Sequence, residues 1–255
     1  MASDIPMSTE LAQALAAAFG AGEQIPAPPP EQVPASPEQA WAIQLQIINF
    51  CGDSTGGWKV GAKSPDGPIQ GCPLPSRRIR PAPTRMRRSF FARVGLELEI
   101  AFRFGRSFQP GEGEVGEAEV LAAISEMAAA IEIVGSRYTT WPQVERLAQL
   151  ADLQNHGALI VGDFVEYRDD FPFLEPQLAF KFDGATICEG PHRNPAGDPR
   201  RLLTWTVNHS LRMGVPITPA TAVTTGTYIG LYNPPGTGLA SGVIDGLPPL
   251  ELALE

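Results

Sequence analysis

The 255-residue sequence is poor in three of the residue types that usually carry chemistry. It has three cysteines, three histidines and, against sixteen arginines, only three lysines. Cys51, Cys72 and Cys188 are an odd number, far apart, with no CxxC pair. This excludes a disulfide framework and a zinc knuckle and leaves free thiols suited to a reducing cytoplasm. His156, His192 and His209 share no HxH or HExxH spacing, which argues against a histidine-built zinc site. No G-x-S-x-G elbow and no Walker loop occurs. No apolar run approaches the ~18–20 residues of a membrane span, and the N-terminus lacks the regions of a signal peptide, so a cytoplasmic protein off the membrane is expected. Basic charge is also in deficit: the net charge of −9 argues against nucleic acid as a partner. One stretch runs against that average, with Arg77, Arg78, Arg80, Arg85, Arg87, Arg88 and Arg93 close together. It reads either as a solvated or interface-forming run or as a rim that attracts acidic substrates.

The composition that remains, 43% hydrophobic with 26 glycines and 26 prolines, is that of a globular chain with one large core. Residues 8–19, "STELAQALAAAF", read as a helix. A proline-rich connector follows, and Ser36-Pro37-Glu38-Gln39 opens a second helix with a cap, a proline at N1 and a glutamine at N3. These two make a helical N-terminal lobe over residues 1–55. From residue 56 the texture turns to strands: "GGWKVGAK", "VGLELEIAFRF", "AAIEIVGSRY", a hairpin around Asp183-Gly184, "ATAVTTGTYIG" and "SGVIDGL". An alanine-rich helix is expected near 117–128, and one capped by Asp198-Pro199 carries Leu203, Val207 and Leu211. The expected class is α+β, with residues 56–255 as a β-rich domain lacking regular βα alternation.

The segment 94–104 holds the first chemical signal. Leu96, Leu98, Ile100, Phe102 and Phe104 alternate as one apolar face, which sends Glu97 and Glu99 out side by side from the other. Two such carboxylates repel, and the pair is cheap only if exposed, if one is protonated, or if a cation lies between them. Glu132, flanked by Ile131 and Ile133, adds a third acid in an apolar run; it would either join the pair on a hard divalent cation or pair with an arginine such as Arg137. With lysine so scarce, Lys59 between Trp58 and Val60 is either a surface lysine on a sheet edge or a group that moves a proton. Thr225-Gly226-Thr227 suits both a turn and a carboxylate cradle.

In their order along the chain, "GWKVGAK", "GLELEIAF", "AIEIVGSRY", "ADLQNHGALIVG", "LLTWTVNHSLRMG" and "TTGTYIG" resemble the fumarylacetoacetate hydrolase superfamily, most closely its 2-keto-4-pentenoate hydratase branch. The resemblance implies a β-rich mixed roll and a Mg²⁺ or Mn²⁺ ion on Glu97, Glu99 and Glu132, with Lys59 beside the substrate. It also implies pocket roles for Asp152, Asn155 and Thr227, with Thr225 beside the last. The activity implied is addition of water to a 2-hydroxy-2,4-dienoate in aromatic-compound breakdown, by a homo-oligomer. The alternatives are a 2-oxo-3-enedioate decarboxylase, an acylpyruvate-type C–C hydrolase, or a non-catalytic anion-binding member. One departure is that Ser76 stands near the place where the family's hydratases carry an acidic proton-transfer residue.

Overall fold

The structure, a computed structural model, describes residues 5–255, with side chains from residue 8. Two helices lead, α1 (Ile5–Ala21) and α2 (Pro37–Phe50). The Ser36 side chain accepts from the Gln39 N–H and so caps α2, with Pro37 at its first position. Thirteen strands follow: β1 (Thr55–Gly61), β2 (Gln70–Pro75), β3 (Ile79–Pro81), β4 (Thr84–Met86), β5 (Gly95–Phe104), β6 (Ile124–Val134), β7 (His156–Val161), β8 (Val165–Glu166), β9 (Gln177–Phe182), β10 (Ala185–Pro191), β11 (Ala222–Thr227), β12 (Gly238–Ile244) and β13 (Leu250–Leu254). Three further helices, α3 (Glu117–Ala122), α4 (Arg146–Ala151) and α5 (Arg201–Arg212), interrupt them.

The strands form two mixed sheets. One has eight strands in the order β2-β1-β11-β5-β6-β7-β3, with β8 added to β6; the other runs β10-β9-β12-β13-β4. The apolar face of β5 (Leu96, Leu98, Ile100, Phe102, Phe104) packs in one core with Phe180, Ala240, Ile244 and Leu252 of the smaller sheet. The other face of the large sheet, with Ala101, Ala128, Ala130 and Leu159, packs against α1, α2 and α4 through Leu15, Ile43, Ile47 and Leu150. The helices therefore have no core of their own and share one with the sheet. This architecture is the expected α+β, β-rich class.

Two local expectations are corrected. The alanine-rich stretch is helical only to Ala122, and from Ile124 it is strand β6. Alanine's helix propensity loses to burial on both faces of the strand, where Ala128 and Ala130 let the helices approach closely. Helix α5 begins at Arg201, and Asp198 instead accepts from the Arg200 N–H one turn earlier. The hairpin stands as expected: Asp183 and Gly184, both at positive φ (48° and 78°), join β9 to β10 as a two-residue turn. No helix among the described residues is long and apolar enough to cross a membrane.

Candidate metal centre and active-site cleft

Strand pairing brings the acids together. Strands β5 and β6 run antiparallel with Glu97 directly opposite Glu132, and Glu99 lies two residues along β5 on the same face. Strand β11 lies between β1 and β5, so Lys59, paired with Thr224, reaches the acids from two strands away. Its Nζ donates to Glu132 Oε1 at 2.7 Å and to the Gln154 carbonyl at 3.4 Å. His156, the first residue of β7, sets Nδ1 2.9 Å from the same Glu132 oxygen.

Glu99 is held from the other side. The register of β11 against β5 shifts between Thr224 and Thr227, and Gly226 there has φ +85°, a conformation that favours glycine. The distortion turns the Gly226 N–H onto Glu99 Oε2 at 2.9 Å, and Thr224 Oγ1 donates to the same oxygen.

After these bonds, Glu99 Oε1 and Glu132 Oε2 remain buried with no hydrogen-bond partner among the described residues. Glu97, Glu99 and Glu132 each bring an oxygen within 4.8 Å of the others. Leaving such oxygens desolvated and unbonded is costly unless a cation shares them, and an all-oxygen donor set is what a hard divalent cation takes. The residues present fit a divalent metal.

The electrostatics follow from burial and crowding. Burial raises Glu97 to about 7 despite the opposing charge of Lys59, and Glu132 adds to the rise. Burial and then the charges of Glu132 and Glu97 push Glu99 well above the carboxylate range. Burial acts the same way on Glu132, but the Lys59 charge and the His156 hydrogen bond outweigh it, and Glu132 stays below its ordinary value. For Lys59, burial favours the neutral amine, yet the surrounding carboxylates, Glu132 foremost, hold the ammonium.

These groups open onto a cleft with two joined arms. One, about 670 Å³, runs past Glu97, Glu99, Gly61, Asn194 and Thr227. The other, about 360 Å³, has a wall of Val134, Trp141, Leu150 and Leu231. Lys59, Lys63, Gln70, Glu97, Arg146 and Gln154 line both.

Not all the residues expected at the site are in it. Asn155 lines the cleft beside Gln154, and both belong to a turn, 153–155, with three successive non-glycine residues at positive φ. Thr227 lines the other arm, its Oγ1 donating to the Gly230 carbonyl. Thr225 lies behind the wall, fully buried, and donates to the Ile100 carbonyl. Asp152 is likewise committed elsewhere: it accepts from Arg137 Nε, the Arg137 N–H and Ser136 Oγ, and lines neither arm. Ser76 follows the end of β2 that pairs with Thr55, whereas Lys59 pairs with Cys72 further along the strand. Its hydroxyl donates to Asp53 Oδ1 at 2.5 Å, outside the cleft. Ser76 is therefore not where an acid could serve the site; Gln70, at the opposite end of β2, is the residue of that strand that lines it.

His156, Thr224, Gln70, Gln154, Lys63 and Arg146 were not singled out from the sequence. Thr224 was detectable in principle, because strand alternation sets it on the opposite face from Thr225. Lys63 shares with Lys59 the rarity of lysine. Arg146 carries no local signal.

No family model matches the chain. Among curated proteins, the TodF product hydratase of Pseudomonas putida F1 is 28% identical over 131 residues, 51% of this chain and 48% of that protein. A 2-keto-4-pentenoate hydratase of Burkholderia vietnamiensis is 25% identical over 152 residues, 60% of this chain and 57% of that protein. The matched part thus spans about half the length of these relatives. Among solved structures, 4-oxalocrotonate decarboxylase from Pseudomonas putida G7, complexed with magnesium and adipate, superposes over 97% of both chains with a TM-score of 0.83 at 16% identity. The fold is that of the fumarylacetoacetate hydrolase superfamily. A more distant neighbour is the fumarylpyruvate hydrolase of Pseudomonas aeruginosa in complex with Mn²⁺ and pyruvate, with a TM-score of 0.54 at 16% identity over 78% of this chain and 89% of that one. The resemblance of the sequence to this superfamily and to its hydratase branch is borne out. Within the fumarylacetoacetate hydrolase fold, the three glutamates and Lys59 lie on the helix-facing side of the large sheet, at the end where the helices leave it open to the cleft.

Proposed function

We propose that this protein is a divalent-metal-dependent lyase of the hydratase type, acting on a 2-hydroxy-2,4-dienoate from aromatic-compound breakdown and giving a 4-hydroxy-2-oxo acid. The observation that carries the reading is the pair of orphaned oxygens, Glu99 Oε1 and Glu132 Oε2, in a three-carboxylate cluster beside a buried lysine. Both sequence relatives are named as hydratases, which supports the reaction type. Glu97, Glu99 and Glu132 would hold the ion, Mg²⁺ or Mn²⁺. When bound, it would supply a positive charge that stabilises an enolate oxygen of a chelating 2-oxo acid.

The chain's own residues supply the rest. Thr224 and Gly226 fix Glu99 by one oxygen, and Lys59 and His156 fix Glu132 by one oxygen, so each carboxylate presents its other oxygen in a set direction. Lys59 Nζ, kept charged by these neighbours, is the proton carrier for the substrate carbon. Val134, Trp141 and Leu231 exclude water from one wall, and Asn155 and Thr227 flank the substrate.

The experiment is product analysis with Mg²⁺ and 2-hydroxypenta-2,4-dienoate. The 4-hydroxy-2-oxo acid should form, and should be lost with a chelator and in Glu99→Ala. A second reading, decarboxylation of a 2-oxo-3-enedioate, is favoured by one observation: among the described residues, no carboxylate outside the cluster lines the cleft to activate water. Release of CO₂ from 2-oxohex-3-enedioate without hydration of the dienoate would select it, and turnover of neither would overturn both. We further propose a cytoplasmic homo-oligomer, supported by the free thiols and by exposed Phe50, Phe90 and Leu174.

A further inference from the structure

The five-stranded sheet has two unlike faces. Phe180, Ala240, Ile244 and Leu252 turn inward to the core, and the residues alternating with them turn out. On the central strand β12 these are Leu239, 42% exposed, Ser241, and Val243, 38% exposed. Ala253 of β13 pairs with Leu239 and Ala179 of β9 with Val243, so the middle of the face carries only small or apolar side chains. Two charges frame it. Ser241 pairs with Lys181 on one side and with Glu251 on the other, which sets an ammonium and a carboxylate in one row. They stand two strand spacings apart, about 10 Å, too far to pair within the chain. Both are exposed, and neither makes a hydrogen bond or ion pair among the described residues.

This pattern is complementary to itself under one operation. A two-fold axis lying in the face along β12 lays β9 over the partner's β13, so that Lys181 meets the partner's Glu251 and Glu251 meets the partner's Lys181. Leu239 and Val243 lie on the axis and each packs on its own copy. An axis running across the strands fails, because it sets Lys181 on the partner's Lys181 and Glu251 on the partner's Glu251, and like charges repel. The lengthwise axis also lays Arg85 of β4, in register with Ala253, over the partner's Asp183-Gly184 turn. Arg85 belongs to the Arg77–Arg93 run, which lines neither arm of the cleft.

Resting on the homo-oligomer reading above and naming its contact, we infer that the outer face of the small sheet is the interface of a two-fold dimer of this chain, closed by two Lys181–Glu251 ion pairs around Leu239 and Val243. Five strands at about 4.8 Å, each about six residues long at about 3.4 Å, give roughly 500 Å² per partner. That is the low end for a specific contact, so the dimer should dissociate in the micromolar range. The metal cluster lies on the helix-facing side of the large sheet, and the core shared by the two sheets separates it from this face. Pairing therefore leaves both clefts open.

The test is sedimentation velocity on the full chain from about 1 to 100 μM, a range that brackets a micromolar Kd. The unaltered protein should pass from monomer to dimer. Lys181→Glu and Glu251→Lys each set two pairs of like charges across the axis, and each should weaken association about tenfold or more. The double variant Lys181→Glu, Glu251→Lys should restore it, because the exchanged charges are again opposite across the axis. Both positions are exposed on strands, so the fold should be retained. Assembly that ignores both single reversals, or a double variant as weak as the singles, would overturn this interface while leaving the homo-oligomer reading standing. A monomer through the whole range would overturn both.

Discussion

Two buried acid–base pairs sit at either end of the turn 153–155, and they are built on opposite plans. In the Arg137–Asp152 pair every carboxylate oxygen has a donor, and the guanidinium also donates to the carbonyls of Gly135, Asp152 and His156. In the Lys59–Glu132 pair one carboxylate oxygen takes both the ammonium and His156, and the other takes nothing. The first pair satisfies itself. The second leaves an oxygen free beside two more carboxylates. Burial and charge are alike in the two; what separates framework from site is whether hydrogen-bonding capacity is used up or held open.

If that contrast is right, the two pairs should fail differently. Lys59→Met should lower turnover by about 10²–10⁴-fold, with Mg²⁺ and oxalate binding retained. A single-turnover assay beside metal titration checks it, and near-normal turnover would remove the lysine from the chemistry. Asp152→Ala should instead unfold the protein more easily by about 3–5 kcal/mol, because it strands a buried guanidinium. Urea denaturation reads this, and a loss below 1 kcal/mol would mean that the pair is not structural.

The open pair also predicts a pH dependence. Glu97 near 7 and Glu99, well above the carboxylate range, both lie above their unfolded values, so the metal-free fold binds extra protons. Its stability should therefore fall as pH rises from about 5 through 7. Metal binding expels those protons, so affinity should gain about tenfold per pH unit below 7 for each proton released. Melting temperatures with and without Mg²⁺ should diverge as pH rises; parallel curves would count against the cluster. The smallest effect is expected at Ser76→Asp, which adds a charge beside Asp53 and should leave turnover unchanged while costing some stability. A large change in rate would bring that end of β2 back into the site.

The legible part of this molecule was what strand alternation and local capping encode. Glu97 and Glu99 had to share a face, and Ser36 and the Asp183-Gly184 turn are local signals that worked. What was not legible depended on pairing between distant strands. That the Gly226 N–H reaches Glu99 depends on the register shift in β11, and that Asp152 belongs to Arg137 depends on how 135–138 folds back on α4. The resemblance puts Ser76 near the family's acid, but position along an antiparallel strand pair is set by register, which puts Gln70 and Ser76 at opposite ends of β2. The alanines of β6 misled because their helix preference is a weak term beside burial.

The position of β11 between β1 and β5 also bears on how the protein is made. Lys59 and Glu97 leave the ribosome before the strand that joins their sheets into one, at 222–227. While residues 105–221 are being added, which takes on the order of ten seconds, β1 and β5 each lack, along one edge, the strand that pairs between them in the finished sheet. Such edges invite wrong pairing. The nascent protein should therefore depend on chaperone cover until residues 222–227 appear, and it should acquire its metal only afterwards.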